Sequence, residues 1–144
     1  MNVGKLKSAD EVMVWSERVS TGLMHMPEAV SAVLTTTDAT PTVILTLPIR
    51  PTTVYLLEWV ALARQSAGSG TIGDGAAYQG LVAAHLVVAT ATVIGSAASL
   101  LAVEDDTNWD AAVSFTGNQI EWTVTGAASK TIKWRIDVTH RTTS

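Results

Sequence analysis

Residues 108–138 read N-W-D-A-A-V-S-F-T-G-N-Q-I-E-W-T-V-T-G-A-A-S-K-T-I-K-W-R-I-D-V, and this stretch decides the fold class. Val113 and Phe115 flank Ser114. Ile120, Trp122 and Val124 alternate with Glu121 and Thr123. Ile132, Trp134, Ile136 and Val138 alternate with Lys133, Arg135 and Asp137. A period of two puts one set of side chains on a buried face and the other in solvent, as in a half-buried antiparallel strand. Thr116-Gly117-Asn118 and Gly126-Ala127-Ala128-Ser129 separate the runs and supply glycine for turns. The spacing predicts a three-stranded meander whose inward set is a core.

Further strands are expected on either side of this stretch. Ala29–Thr36 and Thr42–Leu47 are two, joined by a turn at Asp38-Ala39-Thr40-Pro41 in which the proline pre-sets the backbone. Thr53–Arg64 is the longest run. It is apolar on both faces except at Glu58, which predicts a central strand covered on both sides. Leu, Ala and Glu would also suit a core helix; Val54, Tyr55, Trp59 and Val60 favour a strand. Gln65–Gly75 reads as a glycine-serine loop. Ala76–Val88, Thr90–Gly95 and Ser99–Val103 follow as strands, and Glu104–Asp110 as an acidic loop. The result is an all-β chain of eight or nine strands, an antiparallel β-sandwich or jelly roll.

The 144 residues suffice for one domain with its own core. Charged residues make up only 15% of the chain against 47% hydrophobic. So little charge implies that part of the surface is covered by another chain. A net charge of −4 without a basic tract argues against a nucleic-acid partner. With no cysteine there is neither a disulfide framework nor a thiolate site. Gly75 to Val103 carries no Asp, Glu, Lys or Arg and is long enough to cross a bilayer. Its breaks at Gly80, Thr90, Thr92 and Gly95, and its content of valine, favour buried strands over a transmembrane helix.

The motifs that could carry chemistry are weak. Gly68-Ser69-Gly70-Thr71-Ile72-Gly73 matches G-x-G-x-x-G, but no acidic residue lies between Asp74 and Glu104 to bind a ribose, so a surface loop is expected. Glu104, Asp105, Asp106 and Asp110 are near enough in sequence to share a cation. They lack the EF-hand spacing and glycine, and read first as a solvated loop. His25, His85 and His140 have no zinc spacing. Glu58 within an apolar run could be a carboxyl with a raised pKa, or a paired core or interface carboxylate. No catalytic residue, metal or cofactor is expected. Trp59, Trp122 and Trp134 are in phase with strands and read as core.

Residues 1–34 read as an N-terminal arm, with residues 35–144 as the β-domain. Ser8-Ala9-Asp10-Glu11 could cap a short helix, while Val12 and Val14 alternate with Met13 and Trp15 as in an extended segment. Met13, Trp15, Met24 and Met26, together with Trp109, are the candidate interface residues, because apolar anchors of this kind are enriched where subunits meet.

An ordered set of segments resembles a β-rich domain of tailed-bacteriophage structural proteins. It comprises Thr35 to Thr42, Glu58 to Arg64, Gly73-Asp74-Gly75-Ala76-Ala77-Tyr78, Val93-Ile94-Gly95, Glu104-Asp105, Trp109-Asp110-Ala111, Gly117-Asn118 and Val124 to Ala128. Such domains occur in capsid decoration (cement) proteins and in tail fibres or spikes. The resemblance spans roughly Thr35 to Val138 and transfers no catalytic residue. It implies a non-enzymatic virion protein, usually a homotrimer. The expectation is a decoration protein on the capsid surface, bound to the major capsid protein. The alternative is a tail fibre, spike or adaptor module.

Overall fold

In a computed structural model, residues 28–144 are described. Among them nine strands run in chain order: β1 (Glu28–Thr36), β2 (Thr42–Pro48), β3 (Val54–Gly68), β4 (Gly75–Val87), β5 (Thr90–Val93), β6 (Ala98–Glu104), β7 (Asp110–Thr116), β8 (Gln119–Thr125) and β9 (Lys130–Thr143). Every pairing is antiparallel. A six-stranded sheet has the order β1-β9-β3-β4-β5, with β6 pairing along the other half of the same β4 edge. A three-stranded sheet has the order β2-β8-β7. The two sheets enclose one apolar core, which makes the domain a β-sandwich.

Alternation decides which side chains enter that core. On β3, Tyr55, Leu57, Trp59, Ala61 and Ala63 point inward, and on β9, Ile132, Trp134, Ile136 and Val138 do the same. Ile120, Trp122 and Val124 face them from β8, with Val113 and Phe115 of β7 half-buried beside them. Trp134 organises the centre. Its indole lies 6.3 Å from the Tyr78 ring in a stacked arrangement and 6.4 Å from Trp109 edge-on. Its Nε1 donates to Thr36 Oγ1 at 3.0 Å, which ties β9 to the end of β1.

The strand boundaries agree closely with the sequence reading, and three details differ. The meander is not continuous: β7 and β8 pair in the small sheet, but β9 crosses the sandwich and inserts between β1 and β3. The crossing occurs at Gly126, where a Cβ would collide with Thr36 Oγ1 and sit 2.9 Å from the Asp38 carbonyl oxygen. Glycine lets the two chain segments approach there. Second, β3 is central but the described residues cover it on one side only; Val54, Leu56, Glu58, Leu62 and Arg64 are exposed on the other. Third, residues 28–34, assigned to the arm from sequence, belong to β1, so the boundary after residue 34 falls within a strand. The uncharged stretch 75–103 forms β4, β5 and β6, and no helix long and apolar enough to cross a membrane occurs among the described residues.

Candidate functional site

The two outer faces of the sandwich differ in kind. On the small sheet the outward positions of β7 and β8 are Asp110, Ala112, Ser114 and Thr116 beside Gln119, Glu121, Thr123 and Thr125. β2 adds Val43, Thr46 and Pro48, with Val43 45% exposed, so that face is mainly polar, as expected where a sheet meets water. On the large sheet the outward positions of β3 are Val54, Leu56, Glu58, Val60, Leu62 and Arg64. Register lines up neighbours beside them. Val33, Arg135, Leu62, Ala77 and Val103 form one row across five strands, and Ser31, Asp137, Val60, Gln79 and Leu101 form the next.

This face is open. Val33 is 74% exposed, Leu62 48% and Val103 51%. Strand β6 adds exposed Leu100 and Leu101 at the edge. Shallow grooves flank Leu62, one against Val33, Lys133 and Arg135 and the other against Ala77, Val103 and Glu104. Clustered Leu and Val on a single face are not needed to fold the domain, whose core lies on the opposite side of the same strands. A contiguous apolar surface of this kind marks an interaction site.

Few charges interrupt it. Arg135 and Asp137 pair at 3.1 Å. The Arg135 guanidinium, and then a hydrogen bond from Ser31, hold the Asp137 carboxyl below the ordinary carboxylate value. Glu58 and Arg64 are exposed, and among the described residues neither has an ion-pair partner. Glu58 is therefore a surface carboxylate and not the buried acid that its apolar run suggested.

The remaining sequence candidates take other places. Trp109, expected at an interface, is 2% exposed and packs edge-on against Trp134 within this chain's own core. Its loop position hid that role, since burial of a residue outside a periodic run leaves no mark in the sequence. Met13, Trp15, Met24, Met26 and His25 lie outside the described residues. The four other tryptophans (Trp59, Trp109, Trp122 and Trp134) are all buried, which excludes them as open platforms for sugar rings. His140 is buried beside Tyr55, with Nε2 3.3 Å from Glu28 Oε1.

The acidic loop works as a set of staples. Asp105 Oδ2 accepts from the Gly75 backbone N–H at 2.8 Å. Asp106 Oδ1 accepts from the Asn108 backbone and side-chain N–H groups at 2.9 Å, and Oδ2 pairs with Lys130 Nζ at 2.8 Å. Lys130 also lies 5.8 Å from the centre of the Trp109 ring. Among the described residues no three His, Asp or Glu side chains come together to hold a metal ion. Burial, and then the Glu104 carboxylate, push the Tyr78 phenol well above its ordinary pKa. Among the described residues the phenol oxygen and Glu104 Oε2 are both buried without a hydrogen-bond partner. The G-x-G-x-x-G segment is the hairpin loop between β3 and β4, closed by bonds from Gly73 N–H to the Gln65 carbonyl and from Gln65 N–H to the Asp74 carbonyl. It opens no helix.

Comparison with known proteins gives limited likeness. No family model matches the chain, and no curated protein matches it. Three solved structures align with this chain, all with TM-scores below 0.5. The tailspike protein of Acinetobacter baumannii phage AM24 has a TM-score of 0.48 at 5% identity, covering 78% of this chain and 26% of that one. The tailspike gp49 of A. baumannii bacteriophage Fri1, a capsular polysaccharide depolymerase, has a TM-score of 0.41 at 13% identity over 78% of this chain and 17% of that one. The tailspike of Acinetobacter phage vB_ApiP_P1 has a TM-score of 0.38 at 9% identity over 76% and 20%. This chain thus spans about a quarter or less of the length of each tailspike it is similar to.

Proposed function

We propose that this chain is a non-enzymatic structural protein of a bacteriophage virion, working as a self-assembling module of a tail spike or fibre. One observation carries the reading: a sandwich with a complete core presents a broad apolar face on its large sheet and a mainly polar face on its small one. A module that meets copies of itself needs one such surface. A decoration protein needs two, one for its own oligomer and one for the major capsid protein; among the described residues the exposed apolar side chains that cluster on one sheet face (Val33, Leu56, Leu62, Leu101 and Val103) lie on the large sheet, while Val43, Ile72, Val88 and Ile94 are scattered elsewhere. The virion setting comes from the sequence resemblance spanning Thr35 to Val138, which includes both decoration proteins and spikes. The tailspike likenesses are compatible with the tail and too slight to choose it.

Imaging and mass spectrometry of purified particles test the placement. A tail module gives a few copies per particle at the tail. Hundreds of copies following the shell lattice would replace this reading with capsid decoration. Absence from particles altogether would sink the virion reading. Turnover of a capsular polysaccharide by the purified chain would overturn the non-enzymatic part.

A further inference from the structure

We infer that the two open edges of the large sheet pair between copies of this chain, β6 of one against β1 of the next, and that three copies close into a ring with the apolar face of each large sheet turned to its axis. The inference rests on the proposed self-assembly and adds the edges, the register and the copy number.

Both edges are unguarded. β1 pairs only with β9 and β6 only with β4, so among the described residues nothing bonds to the outer side of either strand. Neither Glu28–Thr36 nor Ala98–Glu104 contains a lysine, arginine or proline, the residues that commonly protect an edge. β6 is also open on both of its faces. Leu101 and Val103 are exposed on the outer face, and Ala102, level with the inward Tyr78, is exposed on the other. A strand this bare suits addition to another sheet, where backbone bonds give the attachment and side chains give the register.

Register points to β1 of a second copy as the occupant. Followed across β4, β3 and β9, Ala98 is level with Ala29 and Glu104 with Leu34. The two edges thus stand at the same height, and the bulge at Leu100 absorbs the extra residue of β6. Four antiparallel steps separate them, so they point the same way. Rotation about an axis along the strands then brings β6 beside β1 of the next copy as a parallel pair. The pleats match: Leu101 and Val103 come beside Ser31 and Val33 of the neighbouring copy, and Ala102 beside its Ala32. Each copy uses a different edge toward each neighbour, and a head-to-tail contact of this kind generates a ring when its rotation closes.

Width sets the number of copies. At the height of β6 the sheet consists of β1, β9, β3, β4 and β6, about 24 Å across at about 4.8 Å per strand. Two such sheets packed face to face lie about 10 Å apart, twice the span of a strand pair, so their edges would not meet without curling. Three, as the sides of a triangular prism, stand roughly 7 Å from its axis, and four stand about 12 Å away. Side chains fill about 5 Å on each side of a packed interface, so three copies come close to filling the interior and four leave a channel. Val60 and Leu62 of the middle strand lie nearest the axis, with Leu101, Val103 and Val33 toward the corners. Arg135 and Asp137 in these rows are already paired with each other. Glu58 and Arg64 bound the rows at opposite ends, where water and salt screen the like charges that the axis gathers. Leu56 and Val54 lie beyond Glu58, past the first residue of β6, and take no part in the edge contact.

The full 144-residue chain has no cysteine, so introduced thiols report the contact directly. Within one copy Val33 and Val103 are four strand spacings apart, about 19 Å, beyond the roughly 7 Å that a disulfide can bridge; in the ring they are neighbours at about 4.8 Å. Native mass spectrometry of the wild-type chain is expected to give a trimer. Oxidation of the chain carrying both Val33→Cys and Val103→Cys should give a covalent trimer on a denaturing gel, and either substitution alone should give no link. Both positions are exposed, and far-UV circular dichroism checks that folding is kept. If the thiols do not oxidise, Val33→Lys should weaken association at least about tenfold, and adding Val103→Glu should restore it to within about threefold of wild type. A trimer that neither links nor recovers in this way overturns the edge pairing and leaves self-assembly standing, with another occupant on the edges, such as residues 1–27 of the same chain. A link through one cysteine alone, or an assembly of another copy number, overturns the ring and also leaves self-assembly standing. A monomer at micromolar concentration overturns both.

Discussion

Replacing Gly80 with alanine tests how the core is built. Gly80 pairs with Trp59 across β4 and β3, and both positions point inward. A Cβ at Gly80 would lie 2.6 Å from Trp59 Nε1, 2.7 Å from Cε2 and 2.8 Å from Cζ2. Favourable carbon contacts sit at about 3.5–4.0 Å, so the overlap is close to an ångström. The indole is a rigid plane, 6% exposed, held within the core cluster. Overpacking of this kind costs about 1–3 kcal/mol, a large share of a stability of about 5–15 kcal/mol. Trp59→Leu removes all three colliding atoms at its own cost of roughly 2–4 kcal/mol for the cavity it leaves. In that background Gly80→Ala should cost nothing, or gain up to about 1 kcal/mol by restricting the unfolded chain. Urea unfolding of the four proteins, followed by far-UV circular dichroism, closes a double-mutant cycle. One protein concentration must serve throughout, since association adds to apparent stability. The expected coupling is at least about 1 kcal/mol. Costs that add within about 0.5 kcal/mol would refute the steric account of this glycine.

Two further outcomes follow from local geometry. The two-residue turn between β4 and β5 puts Val88 at φ 54° and Ala89 at φ 79°, a left-handed conformation that costs about 1–2 kcal/mol per residue bearing a Cβ. Val88→Asn with Ala89→Gly should therefore raise the urea midpoint by the equivalent of about 1–2 kcal/mol; an unchanged midpoint would show that the turn is not strained. The Lys130 ammonium, followed by the Asn108 backbone N–H, holds the Asp106 carboxyl below its ordinary value of 3.8. A depressed pKa in the folded state contributes stability that is present above that ordinary value and lost as pH falls through the folded one. Lys130→Met should flatten the decline in urea midpoint below about pH 4 and lower the midpoint at pH 7; an unaltered acid profile would dismiss the pair as a contributor.

The inward set of the 108–138 stretch could be read directly, because alternation is a local property of an extended backbone and needs no knowledge of neighbours. Ile120, Trp122, Val124, Ile132, Trp134, Ile136 and Val138 are all buried as the pattern implies. Turns at Asp38-Ala39-Thr40-Pro41 and Gly117-Asn118 were legible for the same reason. Trp109 was not, since a residue in an irregular loop carries no period, and only the closing of the loop by Asp106 and Lys130 seats it against Trp134.

The sequence by itself determined that this chain is all-β, where its strands lie, and which side of most of them is apolar. Tertiary structure alone decided which strands pair. Backbone N–H and C=O groups are the same along every strand, so β8 could have taken β9 as its neighbour by alternation alone. Packing of Trp134 onto Thr36 and the close passage at Gly126 place β9 between β1 and β3 instead. Tertiary structure also decided what covers β3. Its run of apolar residues on both faces reads the same whether the second face meets its own chain or another. Only the arrangement of the sheets shows that the described residues leave Leu62 and its neighbours open, with Glu58 and Arg64 placed on either side of them.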